Sequence, residues 1–253
     1  MEHISVLTIK MRPLSIGDSQ GRFSYALGPY LQGALYEKSD SRYVKWLHEQ
    51  PFNPYSQYCF WDKNEQLLIW KINALNDEAA RFLLEPLLSL DEMHLRSANA
   101  SFSILEKNMV AVPITTLTDA IQSDTQEKTT VNIVTPASFK SGTRYVNIPS
   151  IHLVFQNLLM KYGQVYAGDK DVDAEAVDYI ERHAIISSYR LRSSAFANVA
   201  AHDKRIPAFQ GSLTISVKGP QHLIGLTRML LRFGEYSGIG VKTALGMGGV
   251  ICN

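Results

Sequence analysis

The sequence predicts an α+β protein built from two domains. Each half of the 253 residues alternates short apolar strands with about two amphipathic helices, and this mixture favours two separate α+β units. A polar stretch with few large apolar side chains, residues 115–130, separates the two halves. A glycine-rich segment, residues 237–249, follows the last predicted helix. We therefore expect one domain at 1–120 and a second domain at 121–253, which carries a C-terminal glycine-rich loop.

The apolar periodicity of the first half predicts five strands and three helices. Residues 12–28 are expected to form a polar connection, and Asp40 or Ser41 suits the N-cap of the second helix. Pro86 must kink or shorten the third helix. A turn at residues 107–108 predicts a hairpin between the last two strands. The predicted strands are 4–10, 58–61, 66–75, 101–105 and 109–114, and the predicted helices are 30–36, 42–49 and 77–90.

The second half predicts four strands and three helices. Ser150 suits the N-cap of the first of these helices, and Gly163 is expected to end it. In both halves the order of elements fits the β-α-β-β-α-β plan of ferredoxin-like domains, whose RNA-binding (RRM-like) relatives use a four-stranded sheet. The predicted strands are 131–134, 185–193, 213–218 and 250–252, and the predicted helices are 151–162, 169–181 and 223–233.

Five glycines in the glycine-rich segment surround one cation and one hydroxyl group, Lys242 and Thr243. Glycine lets the backbone approach a ligand closely, and successive backbone N–H groups can form a concavity for anions. A P-loop is excluded because Val241 separates Gly240 from Lys242. A dinucleotide fingerprint is excluded because Thr243 stands where the third glycine belongs. The segment therefore predicts a polyanion site of another architecture, and a plain turn is the alternative.

Basic side chains concentrate towards the C-terminus. Residues 187–253 contain eight Lys and Arg against two Asp and Glu, a net charge of +6. The remaining residues contain 17 and 22 of these types, a net charge of −5. A basic region on an otherwise acidic chain is typical of proteins that bind a polyanion, although the whole chain carries only +1. A chance asymmetry on a solvated surface is the alternative.

The cysteines and the apolar runs bear on where the protein acts. Two cysteines, Cys59 and Cys252, provide neither a disulfide framework nor a set of metal ligands, so we expect a reducing cytoplasm. The first apolar stretch, residues 4–9, is too short and too polar for a signal peptide. No apolar run approaches the ~20 residues of a membrane span, so no membrane partner is expected.

Three motifs together resemble a known family. The segment 238–249 reads G-x-G-x-K-T-x-x-G-M-G-G, which resembles the hallmark of the CRISPR repeat-processing endoribonucleases of the repeat-associated mysterious protein (RAMP) superfamily. The sequence T-P-A-S-F-K at 135–140, with Tyr145 and Pro149 after it, resembles the start of that family's second domain. P-Y-L-Q-G-x-L-Y at 29–36, followed by L-H-E at 47–49, resembles its first domain. The resemblance thus extends from the first helix to the C-terminus.

The resemblance implies a fold, an activity and two catalytic residues. The family consists of two ferredoxin-like domains in tandem and cleaves the CRISPR precursor transcript within each repeat, without a metal ion or cofactor. Its products end in a 2′,3′-cyclic phosphate and a 5′-hydroxyl. The family's histidine and tyrosine correspond to His48 and Tyr36, whereas its lysine after the histidine has no match before Lys63. Other cations are therefore candidates to contact the phosphate, namely Arg42, Lys45, Lys140 and Lys242.

The chemistry of metal-free RNA cleavage agrees with these residue types. The 2′-hydroxyl of the RNA is the nucleophile, so one group must take its proton and another must give a proton to the leaving 5′-oxygen. Histidine suits such transfers because its unperturbed pKa is about 6.5. Tyr36 could orient the phosphate or shuttle a proton, and a packing role is its alternative. The residues expected to bind RNA are Lys140, Arg190, Arg192, Lys204, Arg205, Gly238, Gly240, Lys242 and Thr243.

CRISPR repeat RNA is the expected partner, and a CRISPR effector complex and a second copy of this chain are further candidates. A non-catalytic RNA-binding subunit of such a complex is the alternative function, since related proteins share the fold and the glycine-rich loop. A small-molecule enzyme on a ferredoxin-like fold is a third hypothesis. That enzyme would show no salt-dependent affinity for RNA.

Overall fold

The computed structural model describes residues 2–16, 24–168, 171–198 and 204–253. The strands of the first half form one sheet, and its helices begin with α1 and α2, which only Ser39 and Asp40 separate. A π-helical turn, Ala80–Leu84, and a 3₁₀ helix, Glu85–Ser89, continue the third helix. The strands are β1 (His3–Ile16), β2 (Tyr55–Asp62), β3 (Leu67–Ala74), β4 (Glu92–Leu95) and β5 (Ala100–Pro113), and the helices are α1 (Gly28–Lys38), α2 (Ser41–Glu49) and α3 (Asp77–Ala79).

The second half forms a four-stranded sheet, a separate two-stranded ribbon and three long helices, which two short helices precede. A π-helical turn, Gly163–Ala167, extends its first long helix. The strands are β6 (Lys128–Ala137), β7 (Phe139–Ser141), β8 (Arg144–Val146), β9 (Ala184–Asn198), β10 (Lys204–Val217) and β11 (Val250–Cys252), and the helices are α4 (Ile114–Thr118), α5 (Ala120–Ser123), α6 (Ile151–Tyr162), α7 (Ala174–His183) and α8 (Gln221–Ser237).

The strand order confirms two tandem ferredoxin-like domains. The second sheet has the order β11-β6-β10-β9, in which the fourth strand of the β-α-β-β-α-β plan lies beside the first. The first sheet has the order β2-β3-β1-β5-β4, which is the same plan with β4 added outside β5. All pairs in both sheets are antiparallel. The boundary between 120 and 121 stays a prediction, because the short helices α4 and α5 lie between the two sheets.

Local capping confirms two predicted helix starts. Asp40 is the N-cap of α2, and its carboxylate accepts hydrogen bonds from the amides of Arg42 and Tyr43. Ser150 is the N-cap of α6, and its hydroxyl accepts a bond from the amide of Leu153 at 3.2 Å. Both side chains satisfy amide groups that have no partner inside the helix.

The predicted hairpin at 107–108 is wrong, because β5 passes through these residues without a turn. β5 pairs with β1 along its whole length, and the register shifts between Lys10 and Met11. The ammonium of Lys107 donates hydrogen bonds to the carbonyls of Leu88 and Leu90, both at 2.7 Å. Two consecutive polar residues can therefore lie within a strand and hydrogen-bond to a neighbouring helix, so they do not by themselves predict a turn.

Two other predicted boundaries are also wrong. The expected connection at 12–28 begins too early, since β1 extends to Ile16, and residues 17–23 lie outside the described residues. Gly163 does not end the helix after Ser150, because helical structure continues to Ala167. Gly168, at φ +69°, ends it in the left-handed conformation that glycine adopts readily. The predicted change near Pro86 is confirmed, because Pro86 lies in the 3₁₀ helix.

The glycine-rich loop, residues 238–249, inserts side chains into hydrophobic clusters of both domains. Ala244 is buried in the core of the first domain, which centres on Trp70. Met247 is buried in a small cluster with Phe196 and Ile206 of the second domain. The loop thus packs against both domains. None of the described helices has the length and apolar character that crossing a membrane requires.

Candidate active site

His48 and Tyr36 lie against each other at the corner between α1 and α2. Tyr36 is in the last turn of α1 and His48 in the last turn of α2. Their ring centroids are 5.5 Å apart with an interplanar angle of 83°, an edge-to-face contact. Asp40 starts α2 directly after α1 ends, and this tight connection brings the two side chains together. His48 itself is exposed to solvent.

A hydrogen-bond network orients the hydroxyl of Tyr36. The hydroxyl of Tyr55 donates to the Tyr36 hydroxyl oxygen at 2.7 Å. Gln32 Nε2 donates to Tyr55 at 2.9 Å and to Tyr36 at 3.4 Å. Burial raises the pKa of Tyr36, despite the opposing effect of these hydrogen bonds. Tyr36 therefore stays a neutral phenol, whose own proton is available to a ligand.

Two cavities meet at this histidine–tyrosine pair. One, of about 700 Å³, runs between α1 and the segment 94–97. The other, of about 530 Å³, lies between α2 of the first domain and the glycine-rich loop of the second; we call it the interdomain cleft. Gln32, Tyr36, His48 and Leu245 line both cavities. An extended ligand can therefore cross the pair from one cavity to the other.

Two of the four candidate phosphate-binding cations line the interdomain cleft together with His48. Lys140, on β7, and Lys242, in the glycine-rich loop, are both exposed there. Arg42 lies outside both cavities, its side chain is 91% exposed, and it pairs with Asp40 at 3.3 Å. Lys45 is exposed and also lines neither cavity. The second domain therefore supplies the positive charge beside the histidine of the first.

Gly238 and Gly240 are required by packing. A Cβ on Gly240 would lie 2.2 Å from the carbonyl oxygen of Ser138, and a Cβ on Gly238 would lie 2.7 Å from the methyl group of Thr243. Thr243 is itself buried. Lys242 adopts φ +60°, a conformation that costs a non-glycine residue about 1 kcal/mol. Such strain is common at functional sites.

Most amide groups of the loop that were expected to face an anion donate within the protein. Ile239 N–H donates to the carbonyl of Gly248 at 2.9 Å, and Gly240 N–H donates to Asn157 Oδ1 at 2.7 Å. Val241 N–H donates to the carbonyl of Ser138 at 2.9 Å. These bonds hold the loop in place. Contact of Gly238, Gly240 and Thr243 with RNA stays a prediction.

The other predicted RNA-binding cations lie on the β9–β10 hairpin, outside both cavities. Arg190 and Arg192 are exposed and two residues apart on one strand, so they lie on one face of the sheet. Arg192 donates to Gln210 Oε1 at 3.0 Å. Arg205 is exposed on β10, and the backbone of Lys204 begins that strand. The predicted site residues thus form two separate groups.

Part of the C-terminal positive charge stabilises the fold. The guanidinium of Arg228 is almost fully buried and forms an ion pair with Asp124. Arg232 lies 3.7 Å from the same carboxylate. A count of charges along the sequence therefore overstates the basic surface available to a polyanion.

Two buried polar residues that were not expected from the sequence hold the cleft together. Gln57 donates through Nε2 to the carbonyls of Gly28 at 3.1 Å and Ala244 at 2.8 Å, which links the first domain to the glycine-rich loop. Its Oε1 accepts from the indole of Trp70 at 2.6 Å. Lys161 lies beneath the loop, 2% exposed. Each residue is polar on an otherwise apolar face of its strand or helix. In the sequence, this interruption of the apolar pattern could have identified it.

Among the described residues, one group of side chains has the spacing of metal ligands: His152, Asp178 and Glu181. His152 Nδ1 lies 2.9 Å from Glu181 Oε2, so the two already bind each other. The group lies between α6 and α7 and lines neither cavity. It is therefore separate from the histidine–tyrosine pair.

Two ferredoxin-like domains, with a glycine-rich loop of the second that packs against the first and faces a histidine–tyrosine pair, define a protein of the RAMP class. The family model described as CRISPR-associated endoribonuclease Cas6 matches residues 131–250. A Cas6 endoribonuclease of Streptococcus thermophilus is 36% identical over 220 residues, which cover 86% of this chain and 88% of the relative. The chain belongs to the Cas6 family of endoribonucleases, which process CRISPR repeat RNA.

Further relatives agree along the whole chain. A Cas6 endoribonuclease of Mycobacterium tuberculosis is 33% identical over 253 residues, which cover 98% of this chain and 78% of the relative. A solved Cas6 product complex superimposes with a TM-score of 0.78 at 17% identity, and covers 99% of each chain. At this low identity, the structural similarity shows a shared fold.

Proposed function

We propose that this chain cleaves CRISPR repeat RNA without a metal ion, with the RNA's own 2′-hydroxyl as the nucleophile. The 2′-oxygen forms a bond to the scissile phosphorus, and the bond from phosphorus to the 5′-oxygen breaks. The products carry a 2′,3′-cyclic phosphate and a 5′-hydroxyl. One proton leaves the 2′-hydroxyl and one reaches the 5′-oxygen, so the reaction balances without a further reactant.

The interdomain cleft carries this proposal, because His48, Tyr36, Lys140 and Lys242 all line it. His48 performs one of the two proton transfers, and its exposure leaves it accessible to an RNA strand. Tyr36 remains protonated and donates a hydrogen bond to a phosphate oxygen. The ammonium groups of Lys140 and Lys242 stabilise the negative charge that develops on the phosphate. They replace the lysine that the family carries after its histidine.

RNA is the partner that fits this cleft and the exposed arginines of the β9–β10 hairpin. A phosphate backbone follows positive charge along the protein, and affinity for it falls steeply with salt. The effector complex and a second copy of this chain remain predicted partners.

The decisive experiment measures single-turnover cleavage of the repeat RNA in excess EDTA. We expect wild-type cleavage to persist, and His48→Ala to slow it roughly 10²–10⁴-fold with affinity for RNA retained. His152→Ala is the matched control, since His152 lines neither cavity, and its rate should equal wild type. The wild-type protein should not cleave a repeat RNA that carries a 2′-deoxy nucleotide at the mapped cleavage position.

Each outcome separates one part of the proposal from another. Loss of wild-type cleavage in EDTA contradicts the metal-free reaction. Cleavage of the 2′-deoxy repeat contradicts the assignment of the 2′-hydroxyl as the nucleophile. Full activity of His48→Ala removes the assignment of His48, and tight binding with no cleavage by wild type favours the non-catalytic subunit.

A further inference from the structure

Lys161 is a buried cation with an unusual position. It lies on the apolar face of α6, on the same side as Val154 and Leu158, and is 2% exposed. Among the described residues, no carboxylate acts on its ammonium group. Burial lowers the pKa of Lys161 to about 7. A buried charge without a counter-ion is unfavourable, so another interaction must explain this lysine.

The amino group of Lys161 binds the junction between α8 and the glycine-rich loop. Nζ donates to the carbonyl of Ser237 at 3.2 Å and to the carbonyl of Gly238 at 2.8 Å. The last carbonyls of a helix have no partner within it, and that end of the helix dipole attracts positive charge. At Gly238 the backbone turns to φ +65° and leaves the helix. Lys161 thus fixes the point where the loop begins.

A second residue of α6 holds the same loop. Asn157 lies one helical turn before Lys161, and its Oδ1 accepts the Gly240 amide at 2.7 Å. Two residues beyond Gly240, Lys242 lies in the interdomain cleft with His48. Asn157 and Lys161 line that cleft as well. A shift at the start of the loop would therefore change the separation between Lys242 and His48.

We propose that Lys161 is a positioning residue for RNA cleavage: by binding the carbonyls of Ser237 and Gly238, it fixes the loop that places Lys242 opposite His48. This inference rests on the proposed function of the cleft. Lys161 touches no reacting atom, and it acts through the loop. A lysine needed only for packing would be replaceable by an apolar side chain of similar length, since buried charges are often replaced in this way without loss of stability.

The test compares Lys161→Met with Val154→Ala, a control on the same buried face of α6 two turns earlier. Two quantities are measured: the cleavage rate at saturating repeat RNA, and hydrogen exchange of the amides at 239–241. We expect Lys161→Met to lower the rate about tenfold to hundredfold, the effect of misplacing a catalytic group by about 1 Å. Exchange of the loop amides should accelerate, and affinity for RNA should change little. Lys161→Arg should restore part of the rate.

Val154→Ala should lower thermal stability and leave both the rate and the loop amides unchanged. The inference is overturned if Lys161→Met matches wild type in rate and exchange, or if Val154→Ala loses as much rate. Should wild type cleave no RNA, the proposed function fails, whereas the exchange data still decide whether Lys161 holds the loop. Should Lys161→Met not fold, Lys161→Gln replaces it, and a wild-type rate together with unchanged exchange at 239–241 overturns the inference.

Discussion

The interdomain cleft and the β9–β10 hairpin both carry basic side chains, but they hold them in different ways. In the cleft, Lys242 belongs to a loop that is buried at Ala244 in the first domain and bonded to α6 of the second. On the hairpin, Arg190 is exposed on the edge strand of its sheet. A cation on a firmly held loop can stabilise one phosphate of the transition state, whereas a cation on an exposed edge strand attracts the RNA backbone in general. We therefore expect the two groups of basic residues to serve different purposes.

The largest effect should follow from breaking the loop that makes the cleft different. Gly240→Ala places a Cβ 2.2 Å from the carbonyl of Ser138 at φ +75°. We expect it to lower the free energy of unfolding by about 2–4 kcal/mol and to abolish cleavage. Gly142→Ala is the control, because Gly142 at φ +57° has open space around it, and it should cost about 1 kcal/mol. Urea denaturation measures both, and equal losses would contradict a tightly packed loop.

The next effect separates the two groups of cations directly. Lys242→Ala should slow cleavage at saturating RNA roughly tenfold to a thousandfold, because a preorganised charge is lost from the transition state. Arg190→Ala should instead weaken RNA binding and reduce the salt slope of the affinity by about one. Filter binding at several salt concentrations and single-turnover rates distinguish these results. If both variants change only the affinity for RNA, Lys242 does not stabilise the transition state.

The sequence predicted the fold well where local signals decide the structure. Asp40 and Ser150 cap the helices that the pattern placed after them, because an N-cap depends on residues within one turn. The strand through 107–108 could not be predicted, since its pairing with β1 is set by residues about a hundred positions away. Long-range pairing overrides a local turn preference at such positions.

The candidate site was predicted unevenly for the same reason. His48 and Tyr36 came from the resemblance, and their contact depends on a short connection between neighbouring helices. Choosing Lys140 and Lys242 over Arg42 and Lys45 required the tertiary structure, since the cleft joins elements that are far apart in the sequence. Lys161 interrupts the apolar face of α6, and this pattern carried a signal that the sequence analysis did not use.

The smallest effect is a dependence of stability on pH that the cleft should have and the hairpin should lack. Burial lowers the pKa of Lys161 to about 7, whereas the pKa of an unfolded lysine is about 10.4. Between these values the unfolded state binds a proton that the folded state lacks. The contribution of Lys161 to the free energy of unfolding therefore rises with pH across this range; it declines as pH falls towards about 7 and levels off below it. Arginine keeps its charge throughout, so Arg190 contributes no such slope.

Two buried thiols limit the range in which this slope can be measured. Burial raises the pKa of Cys59 and Cys252 to about 12. In the unfolded protein these thiols ionise at about pH 8.5, so above that pH they make the free energy of unfolding fall. Between about pH 7 and 8.5, Lys161 should add at most about 1.4 kcal/mol per pH unit to the free energy of unfolding. Chemical denaturation across this range should show the slope in wild type and Arg190→Ala but not in Lys161→Met. Equal slopes in all three would mean that Lys161 keeps its proton in the folded protein, in which case its hydrogen bonds to the loop outweigh the effect of burial.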